Sequence, residues 1–174
     1  MESKNEGLEI LKTVVIAVIV ALLIRTFIFN IARVNQTSMY PTLNNKDTLI
    51  ASSFYKFQDN KKRGDIIIFK LPEEKRLLIK RIIALPNENV EIKDGKIYIN
   101  GKLYEEDYLR YDTYTLSDIT TFELKDDEYF VLGDNRTPGG SVDSRIFGPI
   151  KEDYIKSKAV FRIFPISNFG FLYK

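Results

Sequence analysis

Residues 77–85 read LLIKRIIAL and residues 65–71 read DIIIFKL, and these two stretches give the clearest indication of the fold class. Both stretches are rich in isoleucine, whose β-branched side chain packs well on a pleated strand and favours extended chain. Gly64 stands before the earlier stretch and Pro86 follows the later one, and both residue types interrupt regular structure. The two stretches therefore predict two β-strands.

A lysine lies in the middle of the second predicted strand. Side chains alternate across a strand, so Lys80 shares a face with Leu78 and Ile82, whereas Arg81 points to the opposite face. Apolar surroundings disfavour an ammonium group and lower the pKa of a lysine, while an arginine stays protonated. Lys80 is therefore a candidate general base, and the alternative is an edge-strand lysine that discourages aggregation.

Shorter strand-forming stretches recur along the rest of the chain. Asp94-Gly95 and Asn100-Gly101 are dipeptides typical of two-residue hairpin turns, and they join strands that pair side by side. The further predicted strands are residues 48–51, 89–93, 96–99, 129–132 and 159–166.

An apolar segment, residues 8–29, lies near the N-terminus, with Lys12 and Arg25 near its ends. As a helix it would be about 33 Å long, and the hydrocarbon core of a bilayer is about 30 Å thick. We expect an uncleaved transmembrane anchor. The alternatives are a cleaved secretory signal, although residues 30–33 offer no small-x-small cleavage site, and a buried core helix. The flanking charges are mixed and do not determine orientation.

The composition excludes several kinds of chemistry. The 174 residues include no histidine and no cysteine, which excludes a Ser-His-Asp triad, a thiolate nucleophile and zinc sites built from these residues. The 26 basic and 24 acidic residues nearly balance, so the charge indicates no nucleic-acid partner. The sequence contains no calcium-loop pattern, and we expect no metal and no organic cofactor.

Two further blocks supply what a serine–lysine mechanism needs. Ser38 stands in a turn-forming stretch, SMYPTL at residues 38–43, and a serine becomes nucleophilic when a base takes its proton. Residues 133–136, GDNR, and 141–145, SVDSR, form a polar loop suited to holding the lysine. Each block alone would be a turn residue, a tight turn or a surface ion pair. Their joint order predicts a membrane-tethered serine–lysine peptidase.

These patterns together predict a mainly β fold. A single N-terminal transmembrane helix is followed by an antiparallel or mixed β-sheet catalytic domain with a small inserted β region. We place the tail and anchor at residues 1–31 and the peptidase domain at residues 32–174. Within that domain, about residues 88–127 form the smaller inserted or flap region, which is polar and tyrosine-rich in its later part.

In these blocks the chain resembles the bacterial type I signal peptidases, which remove signal peptides from exported preproteins. The resemblance runs from the anchor to about Pro165, and the three blocks are diagnostic jointly. It implies an endopeptidase on the extracytoplasmic side of the cell membrane, whose partners are signal-peptide-bearing preproteins and the lipid bilayer. It implies no metal and no nucleic acid.

The resemblance also implies roles for individual residues. Ser38 corresponds to the nucleophile, Lys80 to the general base, and Ser141 to the serine that orients the lysine amine. The residues that brace the site correspond to Asp134, Asp143 and Arg145. The backbone N–H of Ser38 is expected to contribute to the oxyanion hole, which stabilises the tetrahedral intermediate.

Three positions depart from the family pattern. Gln36 stands where family members carry serine or glycine, so its amide or a water is the candidate for the second oxyanion-hole donor. Asn87 replaces a glycine, and asparagine tolerates the left-handed conformation that a glycine would supply. Four residues, 137–140, separate Arg136 from Ser141, whereas two are usual in the family.

Other functions fit parts of the pattern. One is a self-cleaving repressor of the same serine–lysine clan, but a DNA-binding helical domain is not evident ahead of the motifs. Another is a catalytically impaired or non-enzymatic membrane-anchored β domain that binds exported polypeptides. That alternative needs neither Ser38 nor Lys80.

Overall fold

The computed structural model describes residues 2–27, 29–59, 61–109 and 113–172. Within them the chain is mainly β, with a long helix α1, Glu2–Phe27, and a short helix α2, Ser144–Phe147. The strands are β1 Phe29–Arg33, β2 Thr48–Ser52, β3 Ile66–Phe69, β4 Leu78–Ala84, β5 Asn89–Lys93, β6 Lys96–Ile99, β7 Lys102–Leu103, β8 Thr121–Glu123, β9 Glu128–Leu132, β10 Ile150–Lys151, β11 Ile155–Phe164 and β12 Gly170–Phe171. Three turns of 3₁₀ helix lie at Ser53–Phe57, Glu152–Tyr154 and Ile166–Asn168.

The larger sheet has the strand order β1-β2-β11-β3-β4-β9-β10, and β12 pairs with β11. Every strand pair in the described part of the chain is antiparallel. The predicted strands in this sheet are confirmed, and β11 ends before Pro165 because proline lacks the N–H that a ladder needs. β4 lies between β3 and β9, with Lys80 opposite Ile67 and Arg81 opposite Leu132.

The smaller sheet has the order β7-β6-β5-β8 and lies within the predicted inserted region. The hairpin turn between β5 and β6 has positive φ at both central residues, 51° at Asp94 and 75° at Gly95. This is the geometry that matches the twist of the flanking strands. Asn100 and Gly101 form a second turn of the same kind, so both predicted hairpins are confirmed.

Three apolar clusters fill the interior. The first lies where the smaller sheet packs against β4 and β9, and it includes Ile83, Ala84, Val90, Ile92, Ile97, Phe122, Phe130 and Leu132. The second includes Ile67, Phe69, Leu78, Ile82, Val131, Ile150 and Ile155, and the third Val34, Met39, Leu43, Leu49, Ile66 and Ala159. Side chains of β4 enter two of these clusters, so this strand has apolar packing on both faces.

The predicted transmembrane anchor is not confirmed. The helix α1 covers most of the apolar segment, yet no helix within the described residues combines the length and the apolar character needed to cross a membrane. The predicted boundary at residue 31 falls inside β1, because Phe29 already pairs with Ser52 of β2.

The first cluster gives a stability prediction. Ile97 is 0% exposed, and truncating it to alanine removes buried methyl groups and leaves a cavity between the two sheets. We expect Ile97→Ala to lower the free energy of unfolding by about 2–4 kcal/mol in urea titrations. Ile119 is 53% exposed and is the matched control. Ile119→Ala should change the free energy of unfolding by about 0.5 kcal/mol or less. Equal losses in the two variants would contradict a core at this position.

Candidate active site

The candidate nucleophile lies in a turn between β1 and β2. The Tyr40 N–H donates to the Thr37 carbonyl at 3.0 Å, and this closes the turn around Ser38. The Ser38 carbonyl accepts from the Asn135 N–H at 3.0 Å. The turn is therefore attached directly to the polar loop that the sequence predicted near it.

Lys80 lies against this serine. Its Nζ donates to Ser38 Oγ at 2.8 Å and to the Ile79 carbonyl at 3.1 Å. Residues 42 positions apart in the sequence therefore meet, and both are buried. The alternative of a solvent-exposed edge lysine is wrong, because Lys80 is only 1% exposed.

The same burial changes the chemistry of the amine. Burial lowers the pKa of Lys80 from its ordinary value near 10.5 to about 8, although the charges of Asp143 and Asp134 act in the opposite direction. An amine with this pKa is partly neutral at mildly alkaline pH. In the neutral form the nitrogen has a free lone pair within proton-transfer distance of the serine hydroxyl.

Gly133 allows the polar loop to approach this pair closely. A Cβ at this position would lie 2.3 Å from the Ser38 carbonyl oxygen and 2.3 Å from Ser141 Oγ, which no side chain could tolerate. The Gly133 N–H donates to Asp143 Oδ2 at 3.0 Å. The glycine therefore joins the turn of Ser38 to the loop residues that follow it.

Asp143 and Arg145 form a buried, two-pronged ion pair. Arg145 Nε and Nη2 donate to the two carboxylate oxygens of Asp143, each at 2.8 Å. Burial alone would raise the pKa of Asp143, but the hydrogen bonds and charge of Arg145 and the Gly133 N–H hold it below its ordinary value. Asp143 is 0% exposed, so the pair is not the surface contact that was the alternative interpretation.

Ser141 lies beside Gly133, but its predicted contact with the lysine is not found. Ser141 Oγ is buried and has no hydrogen-bond partner among the residues that the structure describes. The Lys80 amine instead donates to Ser38 and to the Ile79 carbonyl. The loop brings Ser141 to the site without directing its hydroxyl onto the amine.

Asp134 anchors the loop to β4. Arg81 Nε and Nη2 donate to its two oxygens at 2.9 and 2.6 Å, and Nη1 donates to the Gly64 carbonyl at 2.9 Å. Lys80 and Arg81 therefore make different contacts from adjacent positions of one strand, as their predicted alternation requires.

The turn after β4 contains Asn87, which stands where family members carry a glycine. Asn87 has a φ of 65°, which confirms the predicted left-handed conformation.

Sequence reasoning missed a second layer of contacts around the loop. Arg136 is buried, and it donates through Nε to the Gly133 carbonyl at 2.8 Å and through Nη1 to Thr115 Oγ1 at 2.7 Å. Its Nη1 and Nη2 also donate to the carboxylate of Glu106. Arg136 was visible in the GDNR block, but Glu106 lies in a polar stretch without periodicity that gave no signal.

An open groove of about 600 Å³ leads to Ser38. The groove is lined by the chain from residue 30 to 36, which includes Gln36, and by Arg76, Leu77 and Ile79. The lining also includes Ala51, Ile68 and Ser157, which are small or apolar and buried. Such a groove has room for an extended peptide segment with small side chains.

The buried serine–lysine contact beside a peptide-sized groove is the arrangement of a candidate serine peptidase. The family model described as signal peptidase, peptidase S26, matches residues 7–164. Signal peptidase I P of Bacillus subtilis subsp. natto is 39% identical, and the match covers 96% of this chain and 94% of that protein. Signal peptidase I T of Bacillus subtilis strain 168 is 38% identical, with 94% and 89% covered.

A solved structure agrees with these relatives. The crystal structure of a signal peptidase I from Enterococcus faecalis V583 is 36% identical, with a TM-score of 0.50, and the match covers 57% of this chain and 97% of that one. The chain therefore belongs to the signal peptidase family S26, a family of serine endopeptidases. The resemblance seen in the sequence blocks is confirmed.

Because Lys80 is buried, we expect its removal to raise the free energy of unfolding by an amount that depends on pH. Lys80→Met should raise the free energy of unfolding by about 1–3 kcal/mol at pH 6.5, because the native state no longer holds a buried ammonium. Wild-type stability rises between pH about 8 and 10.5, where the unfolded chain keeps a proton that the native chain has lost. The gain should therefore shrink at pH 9.5 in the same urea titrations. The exposed Lys96→Met is the control, and equal behaviour of the two variants would contradict a depressed pKa.

Proposed function

We propose that the protein removes N-terminal signal peptides from exported preproteins through a Ser38 acyl-enzyme, with Lys80 as general base. The observation that carries this proposal is the 2.8 Å contact between the buried Lys80 amine and the Ser38 hydroxyl. Membership of the signal peptidase family supports the substrate class. The alternative is a β domain that binds exported polypeptides without cutting them.

Acylation begins with neutral Lys80. The amine takes the proton of Ser38 Oγ as the oxygen attacks the scissile carbonyl carbon, and a tetrahedral oxyanion forms. The Ser38 N–H and the side-chain amide of Gln36, which lines the same groove, are the proposed oxyanion donors. The Lys80 ammonium then gives its proton to the leaving nitrogen, the C–N bond breaks, and the mature protein leaves with a new N-terminus.

Deacylation uses the same base a second time. Neutral Lys80 takes a proton from a water, and the water oxygen attacks the acyl carbon. The bond from carbon to Ser38 Oγ breaks, and the serine takes back its proton from Lys80. The signal peptide leaves with a free carboxyl group, and the dyad returns to its starting state.

The surrounding residues keep this dyad in place. Asp143, paired with Arg145, accepts the Gly133 N–H and so holds the loop beside the Ser38 carbonyl. Asp134 holds the same loop to β4 through its ion pair with Arg81. Ser141 keeps its proposed role of orienting the Lys80 amine, because its buried hydroxyl lies beside Gly133 in the same loop.

The substrate is proposed to lie extended in the groove. Residues 30–36 line the groove together with Arg76, Leu77 and Ile79, and an extended peptide there could add a strand by main-chain hydrogen bonds. The small and apolar residues that line the groove favour small side chains, typically alanine, at the first and third positions before the cut. Specificity would then come from pocket size, since larger side chains would collide with the lining residues.

We also propose that the enzyme works at a membrane surface, with the catalytic domain on the extracytoplasmic side. Leu8 to Val20 of α1 present exposed apolar residues, and Ile166, Phe169 and Phe171 are exposed near the C-terminus. Apolar surface of this extent marks a contact with a partner or with lipid. Lipid contact would bring the site close to the membrane where preproteins emerge.

Cleavage of a preprotein with an Ala-x-Ala site tests the proposed reaction. The full-length wild type in detergent should cut after the second alanine, and Ser38→Ala and Lys80→Ala should each lower kcat by at least about 1000-fold. The exposed Ser167→Ala and Lys96→Ala serve as controls and should cut normally. Intact substrate with the wild type, under conditions where another signal peptidase cuts it, would favour the binding-domain alternative.

The pH dependence of the same assay tests the base. Because only neutral Lys80 can accept the proton, kcat/KM should rise about tenfold per pH unit below pH 8 and level off above it. A profile that stays flat from pH 5 to 10, with chemistry rate-limiting, would exclude this residue as the base.

Flotation with anionic phospholipid vesicles tests membrane association. The wild type should float with the vesicles, and the double change Ile16→Glu and Ile19→Glu in α1 should lower the bound fraction several-fold, because charge opposes contact with lipid. Ile146→Glu alters an equally exposed apolar residue on α2 and serves as the control. Equal flotation of all three proteins would remove α1 from the proposed contact.

A further inference from the structure

A segment of the inserted region lies directly against the catalytic loop. We call residues 104–109 and 113–116 the clamp segment. Three arginines that belong to the catalytic blocks each contact it. Arg81 stacks on the ring of Tyr108 at 3.9 Å, Arg136 binds Glu106 and Thr115, and Arg145 Nη1 donates to the Leu116 carbonyl at 3.1 Å.

Arg136 makes the most extensive of these contacts. Its side chain is 0% exposed, and that of Glu106 is 8% exposed. The guanidinium donates to both oxygens of Glu106, to Thr115 Oγ1 and to the Gly133 carbonyl. A buried guanidinium depends on such partners, because an unpaired charge in the interior is strongly unfavourable. Glu106 therefore supplies the charge that allows Arg136 to stay buried beneath the loop.

Gly133 transmits this contact to the dyad. Its carbonyl accepts from Arg136 Nε at 2.8 Å, and its N–H donates to Asp143. Its Cα lies so close to the Ser38 carbonyl and to Ser141 Oγ that a methyl group would not fit. A shift of Gly133 would therefore move the backbone of Ser38 relative to the Lys80 amine.

Tyr108 joins the two halves of the contact. Its hydroxyl donates to Glu106 Oε1, and its ring covers the guanidinium of Arg81, which in turn holds Asp134. Burial and the charge of Glu106 raise the pKa of Tyr108, so the hydroxyl stays protonated as a donor. The clamp segment thus supports both Gly133, through Arg136, and Asp134, through Arg81.

We infer that Glu106 is a positioning residue for the serine–lysine dyad, acting through Arg136 on the Gly133 carbonyl. This inference rests on the proposed function of Ser38 and Lys80. The inserted region then contributes to catalysis without touching the substrate. The competing explanation is a buried ion pair that only stabilises the fold, and that explanation predicts that restoring stability restores activity.

A stability-matched pair of variants separates the two explanations. Glu106→Gln leaves Arg136 charged and poorly paired, so both the melting temperature and kcat should fall. The double variant Glu106→Leu with Arg136→Met replaces the ion pair by apolar side chains of similar size, which often restores stability. In the full-length protein we expect its melting temperature to recover, while kcat stays about 10- to 100-fold below wild type and KM changes by about twofold or less.

A stable double variant with kcat within about twofold of wild type would overturn the inference. Glu105→Gln changes the exposed neighbouring carboxylate and should leave kcat unchanged. If the wild type fails to cut, the proposed function fails. The positioning role of Glu106 is then tested by the pKa of Lys80, which NMR on ¹³C-labelled lysine measures. It should rise by about one unit in the double variant as the loop loosens and water enters, and an unchanged pKa would refute the positioning role.

Discussion

A lysine amine is held out of water beside a serine hydroxyl, and this contact sets what the surrounding strands and loops must provide. An ammonium group loses its hydration when it is buried, and burial lowers the pKa of Lys80 to about 8. The strand β4 makes this burial possible, because it lies between β3 and β9 and is packed by apolar clusters on both faces. A central strand is therefore needed to place the base, whereas the nucleophile needs only a well-held turn.

The carboxylates of the site act against the lowering of the Lys80 pKa. Asp143 and Asp134 both favour the charged form of Lys80, and unpaired they would oppose its deprotonation. Each is instead engaged by its own arginine in a two-pronged ion pair, Arg145 on Asp143 and Arg81 on Asp134. The acids can thus hold the loop by hydrogen bonds while the paired guanidinium groups offset part of their charge.

The strands that form the centre of the sheets could be predicted from the sequence, and the short ones could not. Runs such as residues 65–71 and 77–85 combine β-branched residues with clear ends, and their strands are found within one or two residues of the predicted limits. β7, β10 and β12 are two residues long, which is too short to show any alternation. The expectation of a membrane-spanning helix rested on the apolar stretch alone, and it is not confirmed within the described residues.

The residues that could do the chemistry were recognisable from the sequence. A chain without histidine or cysteine leaves lysine as the base for a serine, and strand alternation separates Lys80 from Arg81, because both arguments depend only on residue type and on local geometry. Two features became visible in the folded chain alone: the Lys80 amine makes no hydrogen bond to Ser141, and Glu106 pairs with Arg136, 30 positions later. Such contacts depend on how two sheets and a loop dock, and a docking geometry is set by the whole core rather than by any local pattern.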